Sequence, residues 1–124
     1  MKIEYCDLIT RRDVQLNPHK LFVFGDNFYR KGLNGQAKEM RGEFNSVGIP
    51  TKRFPKMSFD AFLNDGDVIE WIITSAPNIA LLFNYGGIIV WPSKGIGTGL
   101  ARLDETSPVI FSLICQLENC LKLK

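Results

Sequence analysis

Leu21-Phe22-Val23-Phe24 is an unbroken apolar run that stops at Gly25. A run without alternation leaves no polar face for water, so it suits a strand covered on both sides, the kind that parallel sheets use. Ile88-Ile89-Val90-Trp91, rich in β-branched residues and stopped by Pro92, makes the same demand. Ile3 to Cys6 reads as a first strand ending at Asp7, and Val47 to Pro50 as a short one running into Thr51-Lys52-Arg53. The polar stretch between Arg11 and Pro18 reads as a connection. Gln36 to Arg41 is a short helical segment with Gly42 placed as its C-cap glycine. Asp67 to Ser75 suits a buried helix or a strand, and the cap-like Asn64-Asp65-Gly66-Asp67 before it favours helix. Pro77 then opens a second helical turn through Phe83, closed by Gly86 and Gly87. Ser107-Pro108 starts a last helix, with Val109, Ile110, Leu113, Ile114, Leu117 and Leu121 at helical spacing.

Strands alternating with helices define an α/β protein: a single domain over residues 1–124, with a central, mostly parallel mixed sheet flanked by helices. A chain of 124 residues suffices for one core and not for two. The net charge of +2 is too small to point to nucleic acid or a membrane surface. No apolar run approaches the roughly 20 residues of a spanning helix, and the first thirty residues lack a signal-peptide pattern. Cys6, Cys115 and Cys120 have no metal-ligand spacing and read as reduced filler, which predicts a cytoplasmic protein without a metal. The single histidine, His19, sits in a turn after Pro18 and cannot form a two-histidine metal site.

In parallel sheets ligands collect beyond the carboxyl ends of the strands. Asp7, Gly25-Asp26-Asn27, Thr51-Lys52 and Ser93 to Gly99 each follow an expected strand, so the polar and glycine-rich clusters share one rim. Gly95-Ile96-Gly97-Thr98-Gly99 has glycines at alternate positions, which permit positive φ and let backbone N–H groups converge on an anion. It lacks the Gly-Lys-Ser/Thr of a P-loop and does not fit G-x-G-x-x-G. A second loop, Gly32 to Gly35, precedes the short helix, whose N-terminus would offer further N–H groups. Two such loops on one rim suit a diphosphate.

The chain resembles the macro domain, the ADP-ribose-binding α/β fold, and within it the branch that removes ADP-ribose from acidic side chains. Ile96-Gly97-Thr98-Gly99-Leu100 followed by Leu103 is similar to that family's phosphate loop, I-G-x-G-L-x-x-L. Tyr29 to Ala37 is similar to its other phosphate loop, and Tyr5-Cys6-Asp7-Leu8 to the motif whose aspartate reads the adenine amino group. The resemblance implies a reduced macro-like domain in which Asp7 and Leu8 bind adenine. Gly32, Gly35, Gln36, Ser93, Gly95, Ile96, Gly97, Thr98, Gly99 and Leu100 would bind the phosphates, and Asp26 and Asn27 the distal ribose. Ile49-Pro50-Thr51-Lys52 resembles the step that supplies a catalytic lysine in that branch. Two positions depart from it: Cys6 stands where glycine is usual, and Ala101 where the branch has an aspartate.

The expected ligand is therefore ADP-ribose, a derivative of it, or an ADP-ribosylated macromolecule, with no separate cofactor. Lys52 as nucleophile would have to be neutral, and Arg53 and Lys56 stand close in sequence to help. With Ala101 unable to act as acid or base, Asp26 or Asp104 would have to substitute. If Asp26 approaches Lys52, the ammonium stays charged and binds rather than reacts. Phe28 and Tyr85 are candidates to stack on a base, and Arg30, Lys31, Lys38 and Arg41 read as a solvated helix face. The alternatives are a non-enzymatic binder that sequesters or reads the signal, as would suit a small viral or mobile-element protein, and an RNA- or protein-interaction domain.

Overall fold

The computed structural model describes residues 3–124. Its four strands, β1 (Ile3–Cys6), β2 (Lys20–Asn27), β3 (Ser46–Lys52) and β4 (Ile88–Pro92), form one sheet in the order β1-β4-β2-β3. Every neighbouring pair is parallel, where a mixed sheet was expected. The only antiparallel feature among the described residues is an isolated bridge between Lys52 and Phe62.

The unbroken apolar run has the two-sided burial expected of it. Leu21 and Val23 enter a core shared with Trp71, Leu82, Ile110 and Ile114, whereas Phe22 and Phe24 pack with Val14, Ala37 and Met40 on the opposite face. The first core is closed by α3 (Val68–Asn84) and α5 (Pro108–Leu123), the second by α1 (Arg11–Leu16) and α2 (Ala37–Met40). Ser107 accepts from the Ile110 N–H at the start of α5, with Pro108 in the first turn. Gly42 follows α2 with φ +92°, the left-handed conformation a terminating glycine adopts.

Several elements differ from expectation. The supposed connection after β1 contains α1, whose Thr10 and Asp13 form a reciprocal capping box. Only Val14 of that helix is buried, so it carries almost no hydrophobic periodicity. Pro77 starts no second helix: α3 runs through it unbroken for 17 residues. Pro77 and Ile73 lie on the exposed side, where a carbonyl without its helical donor is open to water. Strand β2 continues to Asn27, so Gly25-Asp26-Asn27 ends the strand rather than following it. The three cysteines are free; Cys6 is half-buried and packed against the second core, Cys115 is half-buried, and Cys120 is exposed rather than buried. No helix among the described residues is long and apolar enough to cross a membrane.

Candidate functional site

Strand order creates the site. β2 and β4 are neighbours, but they pair only from Lys20–Ile88 to Phe22–Val90. Beyond that point β2 is bonded to β3 alone. The chain leaving β2 turns to α2 on one face, while the chain leaving β4 passes through α4 (Leu103–Thr106) to α5 on the other. Where neighbouring strands send their connections to opposite faces, a crevice opens at their carboxyl ends. A cleft of about 300 Å³ lies there, at the small end of the range for ligand sites.

Both glycine loops line this cleft. Gly95, Ile96, Gly97, Gly99 and Leu100 come from the loop after β4, and Gly32, Gly35 and Gln36 from the loop after β2. Asp26, Asn27 and Lys52 also line it. Asp7, Leu8, Ser93 and Thr98 do not; Asp7 instead accepts a hydrogen bond from the Ser93 hydroxyl beside Pro92, which is on the cleft wall. Gly95 and Gly97 have φ of +89° and +91°, and Gly32 and Gly35 of +91° and +58°. The loop after β4 spends its carbonyls on the fold: Gly97 accepts from the Leu103 N–H at 2.7 Å and Gly99 from Arg102 at 3.1 Å. Among the described residues, none of the N–H groups from Ile96 to Ala101 or from Lys31 to Gln36 has a partner in the chain. Helix α2 contributes little as a dipole, since it is only four residues long. The donors belong to the loops rather than to a helix end.

The side chains divide into scaffold and free groups. Asp26 is buried and paired with Arg41, Nη2 to Oδ1 at 2.5 Å and Nη1 to Oδ2 at 3.3 Å. It does not serve Lys52, and its carboxylate is already engaged. Asn27 donates to the Lys31 carbonyl at 2.7 Å and accepts from the Tyr29 N–H at 3.0 Å, so its amide is used in shaping the loop. The Gln36 amide pairs with both backbone groups of Ile9, leaving only its main chain to the cleft. Arg41, read from the sequence as a solvated residue, is the half-buried hub of the wall. Its neighbours in sequence offer no sign of this, because the partner carboxylate is 15 residues away.

Lys52 is a buried cation of the cleft wall. It is only 8% exposed, with Nζ 3.5 Å from the Met57 sulfur and 5.5 Å from the centre of the Phe62 ring. Among the described residues no carboxylate lies within ion-pair distance of it. Desolvation lowers its pKa from the usual 10.5. Arg53 does not assist, because it turns to Asp67 at 2.5 Å. Ala101 lines the cleft at the position where the resemblance implies an acid, and Asp104 is exposed and not part of the lining. Phe28 is packed against the core, and Tyr85 donates to the His19 carbonyl near the start of β2, so neither stands on the cleft wall. Among the described residues no cluster of three or more His, Cys, Asp or Glu could hold a metal ion.

Residues 4–117 match the profile of a family of unknown function, DUF7831. No curated protein and no solved structure matches the chain. Since the match spans nearly the whole sequence, the chain belongs to the DUF7831 family.

Proposed function

We propose that the cleft binds a diphosphate-containing nucleotide of the ADP-ribose class, held mainly by backbone N–H groups. One observation carries this reading: the two glycine loops that line the cleft leave the N–H groups of Lys31 to Gln36 and Ile96 to Ala101 without partners among the described residues. Such arrays of N–H groups hold phosphate without a bound cation. Lys52 adds a positive charge that no carboxylate of the described residues neutralises. A cleft of about 300 Å³ takes the diphosphate and a sugar, with the base lying outward over Pro92 toward Asp7 and Ser93.

Binding is favoured over hydrolysis. The Asp26 carboxylate is held by Arg41 and Ala101 has no proton to give, so among the described lining residues no free carboxylate is left to act as acid or base in hydrolysis. The lowered pKa of Lys52 favours a second reading, in which its neutral amine attacks the anomeric ribose carbon of an ADP-ribosylated carboxylate. In that reading the carbon–oxygen bond breaks, and the carboxylate leaves with its electron pair and takes up the proton the amine loses. Water then hydrolyses the lysine adduct to free ADP-ribose and restore the amine. Calorimetric titration with ADP-ribose, followed by mass spectrometry of the ligand, separates the two. One-to-one binding with intact ligand supports the binder, whereas an altered nucleotide or released ADP-ribose from a modified protein supports the enzyme. Absence of heat at millimolar ligand would overturn both. Steeply salt-dependent binding of oligonucleotides without any response to ADP-ribose would instead indicate an RNA-binding role.

A further inference from the structure

We propose that Arg41 is a positioning residue that fixes the loop after β2, holding the Gly32 and Leu33 N–H groups on the side away from its guanidinium; its relevance to a ligand rests on the nucleotide-binding reading above. The guanidinium joins three parts of the molecule. It leaves α2, meets the Asp26 carboxylate on β2 through two nitrogens, and donates to the carbonyls of Gly32 (Nε, 2.7 Å) and Lys31 (Nη2, 3.2 Å). It also lies over the Phe24 ring, with Cζ 5.6 Å from the centroid.

The two carbonyls are consecutive, which decides the chemistry. In an extended chain successive carbonyls point to opposite sides. The φ of +91° at Gly32 turns both toward the guanidinium. Peptide groups are planar and trans, so each carbonyl fixes the N–H on the far side of its own plane. The Lys31 carbonyl thus orients the Gly32 N–H, and the Gly32 carbonyl orients the Leu33 N–H. Both N–H groups point away from Arg41, and neither has a partner among the described residues; of the two, Gly32 lines the cleft. Asn27 adds a second donor to the Lys31 carbonyl.

The charge of Arg41 is meanwhile neutralised by Asp26, so the residue contributes geometry rather than a free cation. The sequence makes room for this pair. A Cβ on Gly48 would come within 2.6 Å of Asp26 Oδ2, so the carboxylate occupies its place only above a glycine. Preorganised donors raise affinity by sparing the ordering of the loop on binding. This dependence runs from Gly48 on β3 through Asp26 and Arg41 to the loop.

Arg41→Lys tests the inference, because lysine keeps a charge beside Asp26 but cannot supply the planar fork that reaches two carbonyls as well. Backbone 15N relaxation and amide shifts should report loosening confined to the loop. The order parameters of Gly32 and Leu33 are expected to fall from about 0.85 to below about 0.6. Gly97 and Gly99 should be unchanged. Affinity for inorganic pyrophosphate and for ADP-ribose should fall about tenfold in parallel. Unaltered Gly32 and Leu33 amides in Arg41→Lys would overturn the inference, and so would changes spread through the core. If the unsubstituted protein binds neither probe, the nucleotide reading fails, while the loop amides still decide the role of Arg41.

Discussion

Gly97 and Gly99 stand two residues apart in one loop, yet the structure assigns them opposite roles. Gly97 has φ +91°, and a Cβ there would meet Leu103 Cβ at 2.9 Å and Cδ2 at 3.0 Å. Gly99 has no left-handed φ, and a Cβ there would meet nothing within 4 Å, although the residue lines the cleft. In Gly97→Ala, holding an L side chain in the left-handed region costs about 1–2 kcal/mol. Crowding Leu103, which is fully buried, costs about 1–3 kcal/mol more. The expected loss is therefore on the order of 3 kcal/mol. With an unfolding entropy of about 2.1 cal/mol/K per residue over 124 residues, that lowers Tm by roughly 12 °C. Gly99→Ala should leave Tm within about 2 °C, as for a substitution that touches nothing in the protein. Its methyl group would instead project from the cleft wall and weaken ADP-ribose binding by roughly tenfold, equivalent to one charge-assisted hydrogen bond. Differential scanning calorimetry and isothermal titration of both variants measure the two effects separately. Gly97→Ala melting with the parent, or Gly99→Ala destabilised as much as Gly97→Ala, would refute this division of roles.

Lys52→Met should bind pyrophosphate and ADP-ribose more weakly while matching or exceeding the parent in stability at pH 7, because it removes a desolvated charge that no carboxylate offsets. The sign with pH follows from the lowered pKa: between that value and the usual 10.5 the unfolded chain holds more protons than the fold, so the parent gains stability as pH rises through this window. Urea titrations from neutral to alkaline pH should show this slope reduced in Lys52→Met, and ligand affinity of the parent falling over the same range. Asn45 is buried and its amide nitrogen donates to the carbonyls of Val14, Asn17 and Lys20 at 3.0–3.2 Å. Asn45→Asp replaces that donor with an acceptor facing three acceptors and should lower stability by about 2–4 kcal/mol, seen as a shifted urea midpoint with an unchanged slope.

Residues that act through local chemistry were readable in the sequence. Ser107-Pro108 caps α5 because hydroxyl and N–H are three positions apart, and Gly42 stops α2 because only its own φ is involved. The apolar runs in β2 and β4 indicated strands buried on both faces because burial leaves a composition trace. α1 leaves little trace in the sequence because it buries one residue, and the continuity of α3 through Pro77 leaves none because solvent on that side relieves the missing bond. Arg41 had the least trace of all. A surface arginine and a half-buried hub share one letter, and the difference lies in a carboxylate, two carbonyls and a ring that the fold brings to it.

The sequence by itself determined the class of the fold, most of its elements and the chemistry on its rim: strands without a polar face, helices with capped ends, and two glycine loops following strands. Tertiary structure alone decided that these loops share a cleft, because β4 inserts between β1 and β2 and its pairing with β2 ends at Phe22–Val90. It also decided which charges are spent and which are free. Asp26 is tied to Arg41 while Lys52 is left without a carboxylate among the described residues, since pairing depends on distance through space, and the hydrophobic pattern that builds a sheet carries no record of which side chains meet at its ends.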